Sequence, residues 1–171
     1  FIRIPSVPFE IRNKPKRFKN KYGEIASNTA MRVFNGYIME KFHPYLFDLP
    51  TVPLDESLQD LMLTGVAQAQ EAIQREAPGR GTTLTAALVL GERVIVADSR
   101  AYSIYPDGRF DMISRDHSLV GRLEELGQIT AEEAAVHPQK NVLYRALGQG
   151  EVLEPDIFTT PFPKQGMLMI C

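Results

Sequence analysis

Residues 82–113 carry the feature that most restricts the fold: short runs of β-branched and apolar residues, cut by Gly91-Glu92 and by Pro106-Asp107-Gly108. Asp-Gly between two alternating runs marks a tight hairpin, because glycine accepts the positive φ that such a turn requires. The spacing predicts strands over 82–90, 93–97, 101–105 and 110–113. Upstream the period changes from two to between three and four. Ala26, Ala30, Val33, Phe34, Tyr37, Ile38 and Phe42 fall on one face, which predicts a helix from Glu24 that stops at His43-Pro44. A second apolar face, Leu58, Leu61, Met62, Gly65, Val66, Ala69 and Ile73, predicts a helix from about Asp55 to Arg75, ended by Pro78-Gly79. Two amphipathic helices followed by sequential antiparallel strands imply an α/β domain with helices packed on a sheet face.

The remainder is shorter in texture. Residues 119–126 predict a helix ended by Gly127, and Thr130 with Glu133 has the spacing of a capping box for another, broken at His137-Pro138. Residues 141–146 predict one further turn, and 154–160 and 167–171 read as strands. At the start, residues 1–4 could form a short strand. Residues 5–22 hold three prolines and the basic cluster Arg12, Lys14, Lys16, Arg17, Lys19 and Lys21, which reads as a solvated loop. No repeat divides the chain, and 171 residues suffice for one domain with a core.

Composition excludes several functions. A formal net charge of −2 offers no electrostatic case for nucleic acid. The single cysteine, Cys171, cannot form a disulfide within the chain, which fits a reducing cytoplasm. No apolar run approaches the roughly 20 residues that span a bilayer, and residues 1–5 lack the pattern of a signal peptide, so a cytoplasmic protein without membrane contact is expected.

Few residues offer chemistry by spacing alone. His43, His117 and His137 form no pair at helical spacing, which argues against zinc. Gly79-Arg80-Gly81-Thr82-Thr83 lacks the lysine and the strand-to-helix context of a phosphate-cradling loop. Arg115-Asp116-His117-Ser118 sets acid, imidazole and hydroxyl in succession, but a triad needs side chains converging from separate places. Asp116 and Ser118 are instead expected to cap the following helix. Asp98, which follows the apolar run Val94-Ile95-Val96-Ala97, is either a metal ligand or the partner of Arg100 and turn amides. Spacing favours the second, since hard cations want several carboxylates.

Longer motifs point further. Gly81-Thr82-Thr83-Leu84-Thr85, Asp98-Ser99-Arg100, Arg115-Asp116-His117-Ser118-Leu119, Gly127-Gln128-Ile129-Thr130, His137-Pro138, Asn141-Val142-Leu143 and Arg145-Ala146-Leu147-Gly148 follow one another in order. Together they resemble the type 2C (PPM) family of metal-dependent serine/threonine protein phosphatases, in its bacterial form, over 81–171. The resemblance implies a four-layer α-β-β-α sandwich and hydrolysis of phosphoserine or phosphothreonine in protein substrates by a metal-activated water. The cofactor it implies is Mn²⁺ or Mg²⁺, two or three ions, lowering the pKa of water and orienting it. It places Asp98 at a third, weaker metal site. It makes residues 117–148 a flap sub-domain, with His137 and Arg145 facing substrate; the alternative is that His137 caps a helix and Arg145 anchors the flap. A serine/threonine kinase pathway and a monomeric protein are expected with it.

The family's principal metal motifs, Asn-Glu-Asp, Asp-Gly-Met-Gly-Gly, Ser-Asp-Gly and Asp-Asn, do not occur among these 171 residues. They would fall before Phe1, near Asn20 and after Cys171, and Ala97 meets Asp98 without the usual intervening stretch. These gaps cluster round one site, so the intact protein is expected to carry acids that this sequence lacks. No residue present is assigned as catalytic. A catalytically inactive module that binds a protein partner is the competing function.

Overall fold

Ser57 opens the second helix by accepting a hydrogen bond on its Oγ from the Asp60 N–H at 3.1 Å, which satisfies one of the free donors of the first turn. The computed structural model describes residues 21–47, 57–97, 101–115, 117–140, 142, 146–149, 155–163 and 165–170. Its elements are α1 (Lys21–Leu46), α2 (Leu58–Glu76), β1 (Ala86–Leu90), β2 (Arg93–Ala97), β3 (Ala101–Ile104), β4 (Phe110–Met112), α3 (Leu119–Glu125), α4 (Ala131–Val136), β5 (Ile157–Pro161) and β6 (Met167–Ile170).

Ala26, Ala30, Phe34 and Ile38 lie four residues apart on α1 and are all buried, against Leu61, Met62, Val66, Ala69 and Ile73 of α2. Gly65 lets the helices close. A Cβ there would stand 3.1 Å from the Phe34 ring and 3.3 Å from that of Tyr37. At the far end, Thr29 Oγ1 donates to Glu76 Oε2 at 2.8 Å and the Arg32 guanidinium donates to both carboxylate oxygens, at 2.8 and 2.7 Å. A carboxylate at the end of a helix opposes the helix dipole. Here the Arg32 guanidinium, then the Thr29 hydroxyl, hold the Glu76 carboxyl below its usual range.

The strands form two sheets, ordered β1-β2-β5 and β4-β3-β6, with every pairing antiparallel. In β2, Ile95 and Ala97 belong to the helix-side core, while Val94 and Val96 meet Ala101, Ile113 and Leu168 between the sheets. Burial on both faces explains why the sequence there is a continuous apolar run rather than an alternation. The mixed α/β class with antiparallel sheets is therefore as expected. One helical layer and two sheets are present among the described elements, and a second helical layer is not among them. The outer face of the second sheet carries Phe110, Met112 and Met167, exposed by 53, 55 and 64%. The Tyr102 and Phe110 rings stack at 4.7 Å on it.

Several boundaries depart from the sequence reading. Helix α1 does not stop at His43-Pro44 but runs through Pro44 to Leu46, and Phe47 N donates to His43 O at 3.2 Å. Proline lacks a donor and its ring crowds the carbonyl four residues back, a cost that falls here only on the last turn of the helix. Residues 82–85 are not part of β1: Thr82 pairs instead with Leu147. The sequential strands β2 and β3 do not pair with each other but enter different sheets. By contrast the Asp107-Gly108 turn, the end of α3 near Gly127 and the Thr130–Glu133 capping box stand as read. The strand expected at 1–4 and the basic segment up to Asn20 lie outside the described residues; Lys21 and Tyr22 begin α1 rather than ending a loop.

Candidate functional site

Strand β2 ends at Ala97, beside the start of β1 at Ala86 and the start of β5 at Ile157. Asp98 follows Ala97 in the chain and lies outside the described residues, as does Arg145. The frame on either side of Asp98 is nonetheless firm. Ala97 and Ala101 are fully buried. The Ala101 N–H donates to Ser114 Oγ at 2.7 Å, and Ile113 N donates to Ala101 O at 2.8 Å. A buried amide that is paired in this way holds the strand start in place.

At the same end of the sheet, Asp156 precedes β5 and its Oδ2 stands 2.8 Å from His117 Nε2. His117 is 5% exposed and the Asp156 side chain 35%. This pair joins the start of the predicted flap to the strand that follows it. Ser118 caps α3, its Oγ accepting from Gly121 N at 3.0 Å, as expected; Asp116 lies outside the described residues. Leu119 N donates to Val142 O at 2.8 Å, which ties the start of α3 to residue 142.

At the start of α4, Thr130 Oγ1 accepts from Glu133 N at 3.2 Å and Glu133 Oε2 accepts from Thr130 N at 2.8 Å. The carboxyl of the neighbouring Glu132 is held below its usual value, first by its own backbone N–H and then by Thr130. His137 is the residue that closes α4: its N–H donates to Ala134 O at 3.3 Å, and its Nδ1 accepts from Gln139 N at 3.1 Å. It is half-buried, so the capping role is realised while part of the ring stays open.

Residues 147 and 148 bond to α2 and to the segment before β1. Thr82 N donates to Leu147 O at 2.9 Å and Leu147 N to Thr82 O at 2.8 Å, with Leu147 fully buried. Gly148 N donates to Gln70 Oε1 at 2.5 Å. Gly148 has φ +86°, and a Cβ on it would fall 2.1 Å from Arg80 O. Two of the motif segments read in the sequence are thus physically joined, beside the C-terminal half of α2.

Sequence reasoning missed Asp156 and Gln70. A signal for Gln70 was present: it is a polar residue on the buried face of α2, between Val66 and Ile73. Nothing local marks Asp156, whose partner is 39 residues away. Among the described residues no three histidine, cysteine, aspartate or glutamate side chains gather as a metal set. The described side chains therefore do not by themselves fit a binuclear centre. Nor is any described helix long and apolar enough to cross a membrane.

No family model matches the chain. It is 32% identical over 155 residues to the serine/threonine phosphatase stp of Listeria innocua, which covers 89% of this chain and 60% of that protein. Among solved structures, the PPM Ser-Thr phosphatase MsPP of Mycobacterium smegmatis superposes with a TM-score of 0.69 at 29% identity, over 88% of this chain and 62% of that one. The catalytic domain of the phosphatase PstP, determined in complex with 2 manganese ions, gives 0.58 at 27% identity, over 85% and 58%. The chain therefore spans less than two thirds of the length of the relatives it matches.

Proposed function

As this chain belongs to the bacterial PPM (type 2C) phosphatase family, we propose that the protein hydrolyses phosphoserine and phosphothreonine in protein substrates. The observation that carries this reading is the pairing of Thr82 with Leu147, which brings the Gly81-Thr82-Thr83 and Ala146-Leu147-Gly148 motifs together. Divalent ions, Mn²⁺ or Mg²⁺ and two or three in number, are the cofactor this reading calls for. Such ions supply an acidified water and charge neutralisation at phosphorus.

What the chain itself supplies is the frame and the flap. Asp98, set between two buried strand ends, is the carboxylate we assign to the weaker third metal position. Residues 117–148 form the flap, and His137 and Arg145 are its substrate-facing side chains. A guanidinium suits that task, since its planar fork can hold a phosphate or carboxylate through two parallel bonds. His137 fits a contact role because Gln139 N engages its Nδ1, so that Nε2 is the ring nitrogen a substrate would meet. Phosphorylated proteins in the cytoplasm, and through them an opposing serine/threonine kinase, are the partners implied.

The test is Mn²⁺-dependent hydrolysis of p-nitrophenyl phosphate and of a phosphothreonine peptide by the full-length protein. Turnover that a chelator abolishes and Mn²⁺ restores is the expected result. No turnover across a wide Mn²⁺ range would instead identify a partner-binding module.

A further inference from the structure

We propose that His137 is a pH-sensitive latch: its neutral imidazole closes the turn that ties the end of α4 to the start of α3, and protonation of the ring opens that turn. The inference stands on the geometry around the ring and does not rest on a substrate role for His137.

His137 leaves α4 in extended backbone, at φ −61° and ψ 138°. The residue after it is Pro138, which has no N–H. Gln139 N is therefore the first donor of the turn, and it donates to His137 Nδ1 at 3.1 Å. Lys140 N donates to His137 O at 3.1 Å, and Val142 N to Gln139 O at 2.9 Å. Val142 O accepts in turn from Leu119 N at 2.8 Å, so a run of bonds leads from the ring to the first residue of α3. An imidazole nitrogen accepts only while it carries no hydrogen. The bond from Gln139 therefore sets the ring hydrogen on Nε2 and requires the neutral form. In an imidazolium both nitrogens carry hydrogen, and Nδ1 would meet the Gln139 N–H as donor against donor. Histidine is the side chain that changes charge between pH 5 and 8, so the bond is made at the upper end of that range and lost as pH falls. The charged groups around the ring are engaged elsewhere. On α4, Glu133 Oε2 accepts from Thr130 N, and Glu132 is held by its own N–H and by Thr130. In the turn, Lys140 Nζ donates to Ala135 O at 2.9 Å. On α3, which packs against α4, Arg122 and Glu125 pair with each other at 2.9 Å and Glu124 is exposed. Among the described residues none of these side chains bonds to the ring, which leaves the Gln139 bond as the contact that protonation changes.

The test is NMR on the full-length protein labelled with ¹⁵N, between pH 8 and pH 5. Ring nitrogen shifts read the tautomer, and solvent exchange of the Gln139 and Leu119 amides, corrected for the intrinsic effect of pH, reads the turn. At pH 8 the His137 ring should be the Nε2–H tautomer. By pH 5 protection of Gln139 should fall about fivefold, the effect of losing one hydrogen bond from a local opening equilibrium, and Leu119 should follow it. His137→Asn sets a carbonyl oxygen near the place of Nδ1 and does not titrate, so its Gln139 protection should stay the same across the range. His137→Leu has no acceptor, and its Gln139 protection should be low throughout. An Nδ1–H tautomer at pH 8 overturns the proposal, as does Gln139 protection in the unaltered protein that does not change with pH. The same fall with pH in His137→Leu would assign the effect to another group and overturn it too. A fall at Gln139 that Leu119 does not share refutes the link to α3. Should His137→Leu fail to fold, the tautomer and the two amides of the unaltered protein decide.

Discussion

Replacing Gly148 with alanine tests how tightly the turn at 146–149 is seated, and the expected cost can be built from the structure. Its φ of +86° lies in the left-handed region, where a residue with a Cβ loses about 1–2 kcal/mol. The added carbon would also stand 2.1 Å from Arg80 O and 2.5 Å from Ile73 Cγ2. A backbone oxygen cannot rotate away, so either the turn or the Arg80 segment must shift, at a typical overpacking cost of about 1–3 kcal/mol. The sum is about 2–5 kcal/mol, or a fall in Tm of about 4–20 °C at about 2–4 °C per kcal/mol. Two other glycines isolate the terms. Gly127 has φ +67° but nothing within 4 Å of a built Cβ, so Gly127→Ala should lose only about 1 kcal/mol. Gly36, inside α1 with open space around it, should gain about 0.5–1 kcal/mol as alanine. Urea denaturation of the three variants measures all of this. If Gly148→Ala and Gly127→Ala fall within about 0.5 kcal/mol of each other, the close approach of the turn to Arg80 is refuted.

Two more perturbations read other parts of the molecule. The Glu76 carboxyl is depressed in the folded state by Arg32 and Thr29, so its contribution is present above the unfolded carboxylate pKa and disappears as pH falls through the lower folded value. Glu76→Gln should therefore flatten the acid limb of a Tm-against-pH curve below about pH 5; parallel curves for the two proteins would contradict the pairing. Thr130→Ala removes one half of the capping box of α4 and should cost about 1 kcal/mol of local stability. The loss should be seen as faster hydrogen exchange at 131–136 with β2 unaffected, and an equal change in β2 would show that α4 does not open separately from the sheet.

Much of the fold is encoded within a few residues. The four-residue spacing of Ala26, Ala30, Phe34 and Ile38 dictates a helix with one buried face, since only that face can leave water. Thr130 and Glu133 mark their helix start, and Asp107-Gly108 marks its turn, because caps and turns are satisfied by neighbours in the chain. The apolar run of β2 announces a strand without saying what covers it. Tertiary structure decided the rest: the parting of β2 and β3 into separate sheets, the pairing of Thr82 with Leu147, the meeting of His117 with Asp156, and the bond from Gly148 to Gln70. Periodicity records which side of an element is buried, but it carries no information about the identity of the partner. Contacts between residues 39 to 78 positions apart exist only once burial of both faces of β2 has drawn helices and sheets together.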